Sequence, residues 1–448
     1  MSDIGVVWFR QDLRLTDQRP LHAAMARHSR VLCVYVHDAR QNDEATVGPG
    51  LGFCRMGVLR RQWLAAGLLD VATQLADAGQ TLWVLAGEAS VEIAKLMSTL
   101  GASVLYCEQI AAPEEQDDLN NLKRLGESQG FEVVSIWQSS ALEPDDLPFE
   151  IARLPAVFTR FRREIERAGC VPRAPLGIPS PLSPSPHELY ECISALGWHP
   201  AERGSVDALL TLSAVSESVE SRSSFVIAGR GGERAALAHL QRYFDSDLPQ
   251  HYKETRNQLI GMDYSTKFSP WLSIGALSAR TIWQALVAHE QRYGANDSTY
   301  WIGFELWWRD YFRFLHLQHG RQLYRPEGLS DRPVPRHAPE RLMIWQQGQT
   351  GVDFIDAGMR EIRVTGYLSN RLRQNVASYW VNDLEGDWRT GAAWFEHCLL
   401  DYDVYSNHGN WLYLAGRGTD PRDGRRFDPV KQARVYDPAG TYRRLWLS

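Results

Sequence analysis

The sequence predicts an α/β amino-terminal domain built on a doubly wound parallel sheet, followed by an all-α carboxyl-terminal domain. Three observations lead there: strand-like runs alternating with helix-length segments up to residue 137, a proline-rich middle, and helical periodicity beyond residue 224.

Ile4 to Phe9, Val31 to Val36, Thr81 to Gly87, Ser103 to Cys107 and Glu132 to Trp137 are short runs rich in β-branched and aromatic residues. Amphipathic segments separate them, so the strands are expected to run parallel, with ligands beyond their carboxyl ends. Neither G-x-G-x-x-G nor G-x-x-x-x-G-K-[ST] occurs here, so neither common phosphate fingerprint is present. Six of the fifteen residues from Pro172 to Pro186 are proline, and residues 138–223 read as an inter-domain linker. Helices are then expected over Glu233 to Asp245, Ser278 to Tyr293, Trp301 to Gln318, Thr350 to Thr365, Asn370 to Leu384 and Gly391 to Leu400. The domains are therefore 1–137, α/β, and 224–448, helical.

A chain of 448 residues with 44% hydrophobic and 23% charged residues has room for more than one core. No run approaches the roughly 20 apolar residues that a membrane-spanning helix needs. The formal charge of -6 is uneven: 19 basic against 29 acidic residues before position 221, then 29 against 25. Forty-three of the 48 basic residues are Arg, the side chain suited to forked contacts with phosphate and carboxylate, so the second half is the candidate polyanion-binding region. Cys33, Cys54, Cys107, Cys170, Cys192 and Cys398 lie far apart without metal-ligand spacing, which implies a reducing compartment and no structural metal. Met1 leads almost at once into an apolar strand, leaving no room for a signal segment, and the cytoplasm is the expected location.

Eleven of the sixteen tryptophans follow residue 220. Core filling is the ordinary role of each. Three contexts stand apart: Glu305-Leu-Trp-Trp-Arg-Asp310, Trp388 within Glu385-Gly-Asp-Trp-Arg389, and Trp411 within Asn407-His-Gly-Asn-Trp411. Tyr264-Ser-Thr-Lys-Phe-Ser-Pro-Trp271 sets three hydroxyls besides Tyr264 and a lysine ahead of a helix start. It is either a phosphate site or an ordinary cap in which Ser269 is the N-cap and Pro270 enters the first turn. Asn370 and Gln374 share a helical face at i, i+4, as do Asn370 and Arg373 at i, i+3, and Asp401-Tyr-Asp403 follows. A buried Asp–Arg pair there would serve either a polar ligand or the fold alone.

In this order these motifs resemble the photolyase/cryptochrome family, and most closely its cryptochrome DASH branch. Val7-Trp-Phe-Arg-Gln-Asp-Leu-Arg-Leu-Thr-Asp17, Tyr252-Lys-Glu-Thr-Arg-Asn257, Ser265 to Trp271, Glu305 to Asp310, Ser369-Asn-Arg-Leu-Arg-Gln374, Asp401 to Trp411 and Gly418-Thr-Asp-Pro-Arg422 all fit. The resemblance implies a photolyase-like fold whose helical domain holds FAD. Ser265, Thr266, Lys267, Phe268 and Ser269 would hold its diphosphate with Tyr252 nearby; Glu305, Arg309, Asn370, Arg373, Asp401 and Asp403 would line the remainder, and Asn407 would face flavin N5.

The implied activity is blue-light repair of cyclobutane pyrimidine dimers. Trp308 and Tyr413 match positions flanking a flipped dimer, Glu305 and Gln374 its polar edge, and Arg256, Arg371 and Arg425 the DNA backbone side. Tyr413 and Gln374, in place of tryptophan and methionine, are DASH-like and imply a preference for single-stranded DNA. A histidine pair at the positions of Asn370 and Gln374, used by (6-4) enzymes, is absent. Trp411 and Trp388 match the proximal and middle members of a photoreduction chain, whereas the distal tryptophan is missing from Arg332-Pro-Val-Pro-Arg336. A methenyltetrahydrofolate antenna is expected near Glu108, and a monomer is expected. A blue-light photoreceptor is the alternative; the close at Trp446-Leu-Ser448, without a long tail, favours repair.

Overall fold

Strand β1 (Ile4–Phe9) lies at the centre of a parallel array whose other members are β2 (Arg30–His37), β3 (Leu82–Ala86), β4 (Val104–Glu108) and β5 (Glu132–Ile136). The chain is seen in a computed structural model that describes residues 4–44, 47, 51–212, 221–225, 231–333, 339–420 and 424–448. The order is β5-β4-β1-β2-β3, all parallel, with helices α1 (Arg19–Arg27), α2 (Val58–Asp77), α3 (Ala89–Leu100) and α4 (Pro113–Gln129) in the crossovers. Successive side chains of a strand point to opposite faces. Val7 and Phe9 pack with Leu64, Leu68 and Leu75 of α2, whereas Val6 and Trp8 pack with Ile93 of α3 and Leu119 of α4. Both faces are thus covered, which is why the strands read as nearly continuous apolar runs. Helices α3 and α4 end on Gly101 and Gly130 at φ 59° and 84°, a left-handed conformation that glycine enters without a Cβ penalty.

The segment 138–223, expected to be connection alone, carries structure of its own. Helix α5 (Phe158–Ala168) buries Phe158, Phe161 and Ile165. After it come α6 (Tyr190–Ala195), β6 (His199–Pro200) and α7 (Arg203–Leu209). Strand β6 joins β3 antiparallel and makes the sheet six-stranded. Its proline is tolerated because an edge strand need not donate outward.

The second half is helical: α8 (Glu233–Phe244), α9 (Leu248–Thr255), α10 (Ser269–Ser273), α11 (Ala279–Tyr293), α12 (Asp297–His319), α13 (Pro339–Gln347), α14 (Asp353–Thr365), α15 (Asn370–Ser378), α16 (Trp388–Cys398), α17 (Val404–Leu414), α18 (Pro429–Tyr436) and α19 (Thr441–Leu447). Helix α12 begins before Trp301 because Asn296 caps it, its side chain accepting from the N–H groups of Ser298 and Thr299. The expected single helix from Asn370 to Leu384 is instead α15 followed by a wide π turn over Tyr379–Asp383. Ser269 is not an N-cap: α10 starts at Ser269 itself, and Phe268 occupies the cap without a side-chain bond.

The two halves meet through buried polar contacts. The Leu13 N–H donates to the Ile274 carbonyl, and Glu233 accepts from the N–H groups of Leu15 and Thr16. Trp63 of α2 donates its indole N–H to the Pro270 carbonyl at 2.9 Å. Among the described residues no helix is long and apolar enough to cross a membrane.

Candidate functional site

A cavity of about 560 Å³ opens within the helical domain, a volume suited to a sizeable organic ligand. It brings together Tyr252 of α9 and Arg256 at its carboxyl end, Ser265, Thr266, Lys267, Phe268 and Ser269, and Glu305, Trp308 and Arg309 of α12. Asn370, Arg373 and Gln374 of α15 also line it, as do Asp401, Asp403, Asn407, Trp411, Tyr413 and Arg425. Arg371, Trp388 and Glu108 are not among the lining residues.

Two ion pairs shape the polar wall. Arg373 donates to Asp401 Oδ2 at 2.8 Å, and its Nε is held by the Leu368 carbonyl at 2.8 Å. Among the described residues the other oxygen of Asp401 is buried without a hydrogen-bond partner, an acceptor suited to a ligand N–H or O–H. Asp403 caps α17 by accepting from the Ser406 N–H and pairs with Arg313, one turn beyond Arg309. Burial alone would raise the Asp403 carboxyl, but Arg313 and Arg309 pull it down to about 2. Arg313, paired with Asp403, and Tyr367, which lines the cavity, are neighbours of the site that do not stand out in the sequence. The i, i+4 relation of Arg309 and Arg313 was the only local signal.

Arg309 is held by carbonyl oxygens, those of Ser139 and Leu272, rather than by a carboxylate. Burial and then the neighbouring Arg313 guanidinium draw it down to about 9, so it stays cationic at neutral pH. An under-compensated guanidinium beside hydroxyls fits an anionic or polar ligand edge. On the facing wall the segment 265–269 supplies three hydroxyls, while His239 holds the Thr266 carbonyl at 2.8 Å. Because α10 has only five residues, hydroxyl and backbone donors would carry anion binding there more than a helix dipole.

Asn407 is buried, and its amide NH₂ donates to the Ala392 carbonyl at 3.0 Å, which leaves its Oδ1 to accept from a ligand. Trp411 lies on the wall beside Phe395 and Trp345, with ring centroids at 5.1 and 6.4 Å. Trp388 sits elsewhere, edge-on to His408 at 6.1 Å, with its N–H on the Pro326 carbonyl. Residues 334–338, most of the stretch where a distal tryptophan is missing, and residues 421–423 lie outside the described residues.

The mouth is aromatic and basic. Trp308 stands edge-on to Tyr413 at 5.5 Å. Arg256 pairs with Glu305 and lies over the Trp301 ring at 4.5 Å; Arg425 pairs with Asp420 and lies over Tyr413 at 4.6 Å. Arg371 donates to Asn257 at 2.9 Å and to Gln374 at 3.0 Å, just outside the cavity lining. Far from the mouth, Glu108 is buried at the end of β4, and among the described residues its Oε2 has no hydrogen-bond partner.

Comparison with known proteins agrees with this architecture. The family model for DNA photolyase matches residues 5–180, and that for the FAD binding domain of DNA photolyase matches residues 301–448. A cryptochrome DASH from Synechocystis sp. is 41% identical over 99% of this chain and 87% of its own length. A solved cryptochrome structure from Synechocystis sp. superposes with a TM-score of 0.89 at 40% identity, covering 99% of this chain and 88% of that one. A bacterial class III photolyase structure from Agrobacterium tumefaciens gives 0.80 at 27% identity, over 100% and 87%.

Proposed function

Since the chain belongs to the photolyase/cryptochrome family, in its cryptochrome DASH branch, we propose that it is a blue-light DNA repair enzyme acting on cyclobutane pyrimidine dimers, chiefly in single-stranded DNA. One observation carries this reading: the cavity whose inner wall offers hydroxyls, Arg309 and an unpartnered Asp401 oxygen is continuous with a mouth walled by Trp308 and Tyr413. A single site can therefore hold a polar cofactor and a base-sized, stackable substrate together.

The residues present fit FAD. Ser265, Thr266 and Ser269, with the backbone of Lys267 and Phe268 and with Tyr252 nearby, would hold the diphosphate; Arg309, Arg373, Asp401 and Asp403 would line the remainder. Bound and reduced, FAD would supply the light-driven transfer of one electron to the dimer and its return. The chain supplies position and a dry site. Asn407 offers a neutral amide whose oxygen accepts a hydrogen bond and whose NH₂ does not ionise, so it cannot act as an acid towards the ring. Trp308 and Tyr413 take the flipped dimer between aromatic surfaces, and Glu305, Asn370 and Gln374 take its polar edges. Arg256, Arg371 and Arg425 meet the phosphates. Trp411 and Trp388 would supply electrons from the protein side. A methenyltetrahydrofolate antenna near Glu108, a monomeric state and a cytoplasmic location complete the proposal.

The test is blue-light repair of one dimer-bearing oligonucleotide, first single-stranded and then in duplex, with the flavin reduced beforehand. Strong repair of the single strand and little in duplex is expected. No repair of either form, with reduced FAD demonstrably bound, would reject the enzyme reading in favour of a photoreceptor.

A further inference from the structure

Lys267 belongs to the segment that faces the cavity, yet its ammonium is engaged inside the protein. The side chain is buried, and Nζ donates to the Tyr367 hydroxyl at 2.9 Å. The same nitrogen lies 3.4 Å from the centroid of the Tyr264 ring and 4.4 Å from that of Tyr367. Two ring faces and a hydroxyl together replace much of the water that a buried ammonium loses. Burial still holds Lys267 below the usual lysine range, opposed most strongly by Glu361, which burial pushes up to about 8. Glu361 is buried in turn on α14 and accepts from the Tyr442 hydroxyl of α19.

The backbone explains why a charge is placed there. Lys267 has φ 54°, left-handed for a residue with a Cβ, so the turn between Thr266 and Phe268 needs an anchor to persist. Beyond it, Tyr367 is also overlain by Arg373, at 5.7 Å from Cζ to ring centroid. The cluster therefore ties the 265–269 turn to the Arg373–Asp401 pair. Swinging the ammonium out toward a ligand would break its hydrogen bond to Tyr367 and its contact with the Tyr264 ring and release the turn.

We infer that Lys267 is a positioning residue: its buried Nζ, locked against Tyr264 and Tyr367 with the Glu361–Tyr442 pair in the same interior, holds the turn presenting Ser265, Thr266 and Ser269. It is not a direct phosphate contact. The inference rests on the reading that an FAD diphosphate lies against residues 265–269.

The experiment measures FAD dissociation from the purified holoprotein, by recovery of flavin fluorescence, across a range of salt concentrations. Lys267→Met, Lys267→Arg, Glu361→Gln, Tyr442→Phe, Ser269→Ala and the Lys267→Met/Glu361→Gln pair are compared. Lys267→Met is expected to speed release about tenfold or more, the loss of its buried hydrogen bond to Tyr367, and Glu361→Gln to speed it by a smaller factor. The double variant should be no faster than the worse single, Lys267→Arg should recover most of the loss, and the salt dependence should stay that of the parent. A direct phosphate contact predicts otherwise: Glu361→Gln would slow release or leave it unchanged, and Lys267→Met would flatten the salt dependence. That pattern overturns the inference. Tyr442→Phe removes one hydroxyl only; faster release in this variant supports the cluster if Lys267→Met fails to fold, and unchanged release counts against it. Ser269→Ala separates the two levels, since unaltered release there rejects the diphosphate placement whatever the lysine does.

Discussion

Glu108 shows how a single buried group leaves a signature in the whole protein. Burial, and then the neighbouring Asp12 carboxylate, push it up to about 8. The folded chain therefore keeps a proton that the unfolded chain gives up near the usual glutamate value. The folded state binds more protons between roughly pH 4.5 and 8, so this group makes stability fall as pH rises through that window. Glu108→Gln keeps the shape and removes the titration. We expect the variant to gain about 1–3 kcal/mol on the parent between about pH 5.5 and about pH 8.5, read from denaturant midpoints at both values. An equal difference at the two pH values would show that Glu108 is ionised in the folded protein throughout. The sequence reading reached this residue only through resemblance, because nothing in the run from Ser103 onward distinguishes a buried carboxyl from one at a strand end.

At the scale of elements, the wall of the mouth depends on a helix outside the helical domain. Phe158 of α5 stacks on Trp308 of α12 with ring centroids 3.7 Å apart and planes 12° from parallel. Trp308 also meets Phe312 at 5.4 Å and stands edge-on to Tyr413. One face of its ring is thus fixed by the segment read from sequence as a mere linker. Phe158→Leu should destabilise the fold by about 1–3 kcal/mol and should also weaken binding of dimer-bearing single strands. Its effect on binding should vanish in a Trp308→Ala background, because both substitutions act through one ring. Additive losses would mean that Phe158 serves packing alone. This coupling was not legible in the sequence. Period and composition located the five parallel strands and most long helices to within a few residues, since each of those patterns is local. Helix α17 was missed because polar Asn407 and Asn410 and small Gly409 interrupt its apolar period. Gly409 is there because a Cβ would come within 2.1 Å of Phe312. Pattern by itself singled out the 264–271 segment, the Glu305–Asp310 run and the Asn370–Gln374 face as alternatives to ordinary packing, and raised the Asp–Arg pairing that the structure has as Arg373–Asp401; resemblance supplied the roles. The Arg313–Asp403 pair spans ninety positions, and no local rule encodes a contact at that separation.

The whole molecule is joined at Asp17. It ends a motif read as a signature without a physical reason; the fold supplies one. The Asp17 carboxylate accepts from Ser278 at 2.5 Å and Arg280 at 2.9 Å in the helical domain, and from Arg173 at 3.0 Å and the Leu176 N–H at 3.2 Å in the proline-rich segment. Three parts of the chain therefore meet on two oxygens, with the side chains of Asp17 and Arg280 fully buried. Arg280 reaches further, donating to the carbonyls of Ser140 and Gln138. Burial opposes the charge, but Arg280, then Arg14 and the Ser278 hydroxyl, outweigh it and hold Asp17 down at about 2. A depressed carboxyl contributes stability that is complete above the unfolded value near 3.8 and is lost as pH falls toward about 2. Removing one partner of a buried pair strands the other, at about 3–5 kcal/mol. Asp17→Asn should therefore unfold at lower denaturant than the parent at about pH 6, by an amount of that order, and the gap should close on approach to about pH 2. Because the contacts cross between domains, the variant should also lose the coincidence of far-ultraviolet and tryptophan-fluorescence transitions. A gap unchanged by pH would show that the charge of Asp17 contributes nothing and that its hydrogen bonds alone join the domains.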